Sequence, residues 1–406
     1  MQSKIQFFGW SVARAAFVLA VLAWGIGFYG PSVFIQTLHA AHGWSLSQIS
    51  GAVTAHFLLS AILIVFLPDV HRRLGIARTT FVGGVMIAGG LLGWSGATQP
   101  WHLFPAAIAS GAGWAMTSGA ALNAIVSRWF DRERPTAMAL AFNGASVGGV
   151  LFVPAWIFLI ERLGFQGAAA SIAMLTVVVV GFLSIRYLKP TPADFGQFPD
   201  GNPSAESVAR PKPRLSRSEL VRQPRFITLS AAFALGLFAQ IGLLAHLIVR
   251  LVPDVGVESA GILVSLATIC AVIGRTVVGQ WLGDRDRRVV AAVNFCVQIA
   301  GVLLLIVGNG WVLLSLGCVL FGLGLGNLTS LPPLIAQKEF NREDVVSVVA
   351  LVVAINQAVF AFAPALLGAL RDATSDYALP FAVVVGAQTL AAAIILLGRC
   401  AAGNRE

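Results

Sequence analysis

The chain has 406 residues, of which 57% are apolar and 11% charged, against roughly 45 to 50% and about 25% in an average soluble domain. So few charged side chains cannot coat a compact water-soluble fold, and hydrophobicity this high excludes disorder, as unperiodic glycines exclude collagen and four scattered cysteines a disulfide scaffold. The net charge of +9 raises nucleic-acid binding, but that needs a basic patch on a water-exposed domain, and the composition defines an integral membrane protein instead.

A spanning helix needs about 20 apolar residues, and twelve stretches qualify: 11–38, 45–68, 79–98, 103–127, 136–160, 166–188, 226–250, 258–281, 289–308, 311–335, 345–370 and 378–398. The first is too long for a signal h-region and lacks a small-residue cleavage site, so it is expected to persist as helix 1. Between Lys189 and Arg225 the composition turns to Pro, Ser and charge, which predicts a cytoplasmic linker that does not pack. The expected organisation is an amino-terminal six-helix bundle (1–188), the linker (189–225) and a carboxy-terminal six-helix bundle (226–406).

Charge placement orients these helices. With the amino terminus in the cytoplasm, inner loops and tails hold 23 of the 27 basic residues, whereas outer loops hold Arg162, Arg250 and Arg371. That asymmetry is the positive-inside bias, and it predicts both termini in the cytoplasm. The remaining base, Arg275, falls within the eighth span.

Weak internal matches share nearly one offset. Asp69-x-x-Arg72-Arg73 returns as Asp284-x-x-Arg287-Arg288, Ile87-Ala-Gly returns at Ile299, Arg132-Glu133 at Arg342-Glu343, and Asn143 at Asn356. The offsets lie between 210 and 215, in order and in equivalent loops or spans. A duplicated six-helix unit follows, and parallel repeats of this kind occur in transporters that bind substrate between the halves.

These residues resemble the Major Facilitator Superfamily over nearly the whole chain. Its loop signature between helices 8 and 9 appears as Gly279-Gln-Trp-Leu-Gly283-Asp284-Arg285-Asp286-Arg287-Arg288, with one residue more than usual before Asp284. The earlier copy, Pro68-Asp69-Val-His-Arg72-Arg73-Leu-Gly75, lacks the leading Gly and the Arg directly after Asp. Finer features resemble bacterial monocarboxylate transporters and oxalate/formate antiporters: Gly43-Trp44-Ser45-Leu46-Ser47, Arg128-Trp129-Phe130, the linker run 192–201, and Gly274-Arg275. The resemblance implies an all-α fold of twelve transmembrane helices in two pseudo-symmetric bundles. It implies a multi-pass protein of the cell membrane (bacterial inner membrane), monomeric and held in a lipid bilayer. It also implies a cytoplasmic gate in which Asp69 and Asp284 face Arg72, Arg73, Arg285 and Arg288 across the loops.

Arg275 lies nine residues before Asp284, about 13 Å along a helix. An unpaired Arg at that depth costs at least about 2.5 to 3.5 kcal/mol on insertion scales. Three placements relieve the cost: facing a wet cavity, where the guanidinium fork grips a carboxylate, capping backbone carbonyls, or snorkelling to the inner surface. All 18 acidic residues map to loops or helix ends, so an incoming anion is the expected counter-ion, and a single cation suits a monocarboxylate. In this family branch an Asp often precedes the Arg by one turn; here that position is Ala271.

Histidine is then the candidate proton carrier, because its unperturbed pKa lies near neutrality. His56, mid-span in helix 2, and His246 are the two proton-coupling candidates, and His246, Arg250 and Asp254 share one face of helix 7 as a gate, a substrate contact or an interfacial stripe. Tyr29, Asn123, Asn143, Gln240, Asn327, Asn356 and Gln357 are polar groups inside spans. Such groups either line a cavity or join helices. Tyr29, Asn123, Asn143, Asn356 and Gln357 are taken with Arg275 and His246 as the substrate-binding set.

The absence of a nucleophile and base pair argues against an enzyme, and the absence of a Gly-Lys-Ser loop argues against direct ATP drive. No cofactor, metal or nucleic-acid partner is expected. The expected function is alternating-access secondary transport of a small organic anion, with or without a co-transported or exchanged ion. An exporter of drugs or other amphipathic compounds is the rival.

Overall fold

The computed structural model describes residues 7–131, 133–201, 215–282, 285–341 and 344–403. Asp284, Arg132, Arg342 and Glu343 of the motifs above lie outside them. The described chain is helical, and nine of its helices are long and apolar enough to cross a membrane.

Two of the nine are helix pairs that run on through a sharp turn. The run Arg134–Leu183 turns at Gly164 (φ 68°) into α5 (134–163) and α6 (165–183), and Pro224–Leu282 turns at Gly256 (φ 77°) into α7 (224–255) and α8 (257–282). The fourth span is broken at Ser118 into Leu103–Thr117 and Gly119–Ser127, together α4. With α1 (Gly9–His42), α2 (Leu46–Leu74), α3 (Ile76–Ser95) and α9 (Arg287–Val307), the count among the described residues reaches nine. It is completed by α10 (Trp311–Leu325 and Asn327–Glu339), α11 (Val345–Phe360 and Ala363–Thr374) and α12 (Ala378–Gly403). The architecture is twelve helices, as the hydropathy predicts.

The repeat is visible in the backbone itself. Left-handed turn residues close α1/α2 at Gly43 (φ 67°) and α7/α8 at Gly256, 213 residues apart. They also close α5/α6 at Gly164 and α11/α12 at Ser375 (φ 60°), 211 residues apart. Glycine adopts this region without penalty, whereas Ser375 does so at some cost. The helix breaks at Ser118 in α4 and Gly326 in α10 lie 208 residues apart.

The contacts divide the chain into two compact units. One comprises residues 1–31 and 59–209; the other comprises 32–58 and 210–406. Within the first, α5 lies so close to α1 that a Cβ at Gly144 would stand 2.2 Å from the Phe17 carbonyl oxygen, and one at Gly148 would stand 2.6 Å from that of Val21. The pair therefore works as a small-xxx-small packing face, where missing side chains let backbones approach. The second unit has a core that includes Leu220, Phe226, Phe233, Phe295, Leu331, Val348 and Ile395.

The linker departs from expectation, because its described ends pack. At the first end, Phe195 stacks on Phe8 with centroids 4.5 Å apart, and the Phe8 amide donates to Gln197 Oε1 at 3.1 Å. Asp200 donates its amide to the Trp129 carbonyl at 3.0 Å, and its carboxylate accepts from the Asp131 and Glu133 amides at 3.2 Å. At the second end, Ser216 and Glu219 form a capping box, Leu220 is buried, and the Leu215 amide donates to Asp344 Oδ1 at 3.0 Å. A few large apolar anchors and side-chain caps secure a segment whose average composition is polar. Asp194 accepts from both the amide and the hydroxyl of Thr191, which holds its carboxyl below the usual carboxylate range.

Candidate substrate site and its supporting network

The α8 and α10 helices meet along a seam of small residues. A Cβ at Gly322 would lie 2.7 Å from Ala267 Cα, one at Gly326 would lie 2.5 Å from the Ala271 carbonyl oxygen, and one at Gly274 would lie 1.9 Å from that of Leu323. Backbone contact this close requires residues without side chains at these positions.

A break inside a membrane helix frees carbonyls that must find donors. Four consecutive carbonyls at this break receive side-chain donors. Asn327 Nδ2 donates to Leu323 O at 3.2 Å and Asn294 Nδ2 to Gly324 O at 3.2 Å. Gln240 Nε2 donates to Leu325 O at 2.9 Å, and Arg275 Nε to Gly326 O at 3.2 Å. Asn327 Nδ2 also donates to Asn294 Oδ1 at 2.8 Å, tying the two amides together.

Arg275 is half-buried, and the contact to Gly326 places it in the carbonyl-capping arrangement named above. That cap occupies the Nε–H of a group with five N–H donors. Gln240 and Asn327 join helices. Asn294, with Gln298 and Gln388, went unread in the sequence although all three lie in predicted spans; Gln388 Nε2 donates to Gln298 Oε1 at 2.9 Å. Intramembrane amides were the signal.

The carboxy-terminal part of α7 carries a second polar cluster. His246 is fully buried, with Nε2 2.9 Å from the Pro364 carbonyl oxygen and 3.2 Å from Ser50 Oγ, and Nδ1 3.1 Å from the Tyr377 hydroxyl. A carbonyl can only accept, so Nε2 carries the proton, and in the neutral ring the Tyr377 hydroxyl donates to Nδ1. Nearby, Asp372 accepts from the amides of Leu46 (3.2 Å) and Ser47 (2.8 Å), and Ser45 Oγ accepts from the Gln48 amide at 3.3 Å. The Gly43–Ser47 motif is therefore the start of α2, capped from α11 across 325 residues of sequence. Arg250 belongs to packing: it donates to the Leu305 and Gly308 carbonyls at the end of α9 and pairs with Asp254 at 2.5 Å.

The other residues of the expected set are dispersed. Asn356 and Gln357 are buried on α11, and Asn356 Oδ1 has no hydrogen-bond partner among the described residues. His56 is buried on α2, edge-on to Phe57 with centroids 4.9 Å apart. In the other unit, Tyr29 is buried just after the π-helical turn Trp24–Phe28 of α1, beside Phe28 at 5.0 Å. Asn143 is exposed in mid-α5. Asn123 is exposed near the carboxy-terminal end of α4 and accepts from Arg134 at 2.7 Å.

The gate residues divide. Asp69 and Arg72 pair one turn apart on α2 with both side chains exposed, and Arg73 is exposed beside them. Arg285 is exposed, whereas Arg288 is a correction to the loop reading: its side chain is 2% exposed and grips Glu339 with two nitrogens, at 2.6 and 2.8 Å. It also donates to Thr228 Oγ1 and the Arg225 carbonyl at 3.0 Å. Arg288 is thus an internal brace. The outermost charge contact of this loop falls instead to Arg399 and Asp286, 2.6 Å apart.

With this geometry the comparisons with known proteins agree. The sequence model of the Major Facilitator Superfamily matches residues 15–364, and the chain belongs to that family of multi-pass membrane transporters. It is similar to monocarboxylate transporter 13 of Rattus norvegicus, 27% identical over 399 residues that cover 96% of this chain and 88% of the relative. The match to monocarboxylate transporter 13 of Bos taurus is also 27%, over 403 residues with the same coverage. Among solved structures, the nucleoside transporter NupG superposes with a TM-score of 0.72 at 12% identity, covering 96% of this chain and 99% of that one. A bacterial homolog of the human lysosomal transporter Spinster gives 0.68 at 15% identity, covering 96% of each chain. These two likenesses establish the fold.

Proposed function

We propose that the protein is a secondary transporter of a small organic monoanion, a monocarboxylate, which it binds through Arg275 and exposes alternately to the two sides of the membrane. The carrying observation is a guanidinium deep in α8, half-buried and held by the Gly326 carbonyl at the break in α10. A fixed guanidinium meets a planar carboxylate with two parallel hydrogen bonds, and in a low-dielectric setting such charge-assisted bonds are the strong ones. The relatives named monocarboxylate transporters support this substrate class.

Asn356 and Gln357 of α11 and Asn143, Asn123 and Tyr29 of the other unit are the proposed orienting groups. Asn356 is favoured because a buried carbonyl oxygen lacking a donor is costly unless something fills the place. His56 is the proposed proton carrier, and His246 a contact at the outer gate. A cell membrane location with cytoplasmic termini rests on the distribution of basic residues.

Uptake of labelled lactate and pyruvate into proteoliposomes tests the proposal. Arg275→Ala should abolish uptake while leaving a monodisperse, thermally intact protein, and undiminished uptake would defeat it. His56→Gln should flatten the pH dependence of uptake; an unchanged profile removes His56 from the mechanism.

A further inference from the structure

The four carbonyls bonded by side chains around Gly326 bear on a question that the anion reading leaves open: what holds the guanidinium in one orientation? Arginine has several rotatable bonds, and a carboxylate-binding fork is useful only when its plane is fixed. The Gly326 carbonyl is an anchor of Arg275, at 3.2 Å from Nε. That carbonyl also accepts from Thr329 Oγ1 at 3.0 Å, and it is the last of four consecutive carbonyls taken by side chains, so its direction is set together with those of its neighbours. Gly326 is also required sterically: a Cβ would lie 2.5 Å from the Ala271 carbonyl oxygen and 3.1 Å from Arg275 Nε.

We propose that Gln240 and Asn294 are positioning residues for Arg275, acting through the backbone of the α10 break. Gln240 holds the neighbouring carbonyl, Leu325 O, from α7, and Asn294 holds Gly324 O from α9. Both side chains are buried, so water does not compete for these bonds. Together they fix the peptide planes on the amino-terminal side of Gly326. The Gly326 carbonyl then points at Nε and holds the guanidinium plane. Asn294 is itself held by Asn327 at 2.8 Å, so the clamp draws on α7, α9 and both segments of α10.

The inference rests on the anion reading for its substrate, and it makes a separate claim about apo geometry. Gln240→Leu removes the donor while roughly preserving volume. Two measurements on the full-length protein are needed, with Ser315→Ala as control, since Ser315 bonds only within its own turn at Trp311. The first is concentration-dependent uptake of lactate, pyruvate and benzoate in proteoliposomes. KM should rise about tenfold with maximal rate within about twofold, the pattern of weakened binding rather than impaired turnover. The second is the rate at which phenylglyoxal modifies Arg275 in the absence of substrate, followed by peptide mass spectrometry. It should rise several-fold in Gln240→Leu and stay at the wild-type value in the control.

A folded Gln240→Leu protein with wild-type KM and wild-type modification rate overturns the proposal. So does a fall in maximal rate at unchanged KM, which would place the network in the conformational step. Should Gln240→Leu fail to purify as a monodisperse species, Asn294→Ser carries the same two measurements. If none of the three acids is taken up or protects Arg275 in the wild-type protein, the anion reading fails. The modification rate still decides the positioning claim.

Discussion

Arg288 and Glu339 meet in a two-pronged ion pair between the start of α9 and the end of α10, with the guanidinium almost wholly removed from solvent. Three more acceptors, Thr228 Oγ1, Arg225 O and Ile395 O, occupy its remaining donors. Breaking a buried pair by removing one partner costs about 3 to 5 kcal/mol, because the other charge is stranded. Glu339→Ala is therefore expected to lower the melting temperature sharply. Arg288→Met combined with Glu339→Leu is expected to recover most of the loss, and thermal unfolding in detergent followed by a double-mutant cycle measures the coupling.

The cap that Asp372 places on the first turn of α2 leads to a local effect. Loss of a capping side chain typically costs about 0.5 to 2 kcal/mol. In Asp372→Ala the amides of Leu46 and Ser47 should exchange hydrogen several-fold faster, while Asp372→Asn keeps part of the protection. Hydrogen-exchange mass spectrometry over the peptide containing residues 44–50 checks this.

Tyr377→Phe isolates the buried histidine. Without the hydroxyl, Nδ1 of neutral His246 loses its donor, and a buried polar atom left unsatisfied costs about 1 to 3 kcal/mol. The variant should melt earlier than wild type, and the double variant Tyr377→Phe with His246→Phe should lose less than the sum of the two single changes.

The linker segment around Asp194 should respond to acid. The two bonds from Thr191 to Asp194, backbone first and hydroxyl second, depress the carboxyl in the folded chain. A depressed folded value means the contribution is present above the unfolded carboxylate value and is lost as pH falls through the folded one. Hydrogen exchange across residues 191–197 should quicken as pH is lowered through the acid range, beyond the intrinsic pH effect. Asp194→Ala should show fast exchange already at neutral pH.

Much of this was legible in the sequence because it depends on sums and periods. Twelve spans follow from the cost of burying backbone and charge in hydrocarbon, and the duplicated six-helix unit from matches such as Asn143 with Asn356. The backbone carries that repeat in the paired left-handed turns at Gly43 and Gly256. Arg275 was found because a lone charge in an apolar run is expensive wherever the rest of the chain lies. The linker was misread because Phe195, Leu215 and Leu220 are few, and composition averages conceal single anchors.

Sequence alone determined what the surroundings must be: lipid outside, basic residues on one face, and a cation at depth that needs a partner. Tertiary structure decided which partner. Arg288 lies 51 residues from Glu339, Gln240 85 from Leu325, and Asp372 more than 300 from Leu46. A hydrogen bond requires atoms within about 3 Å and a suitable angle, a condition set by how helices pack rather than by what each residue is. The same guanidinium chemistry therefore braces the protein at position 288 and is poised against a broken helix at position 275.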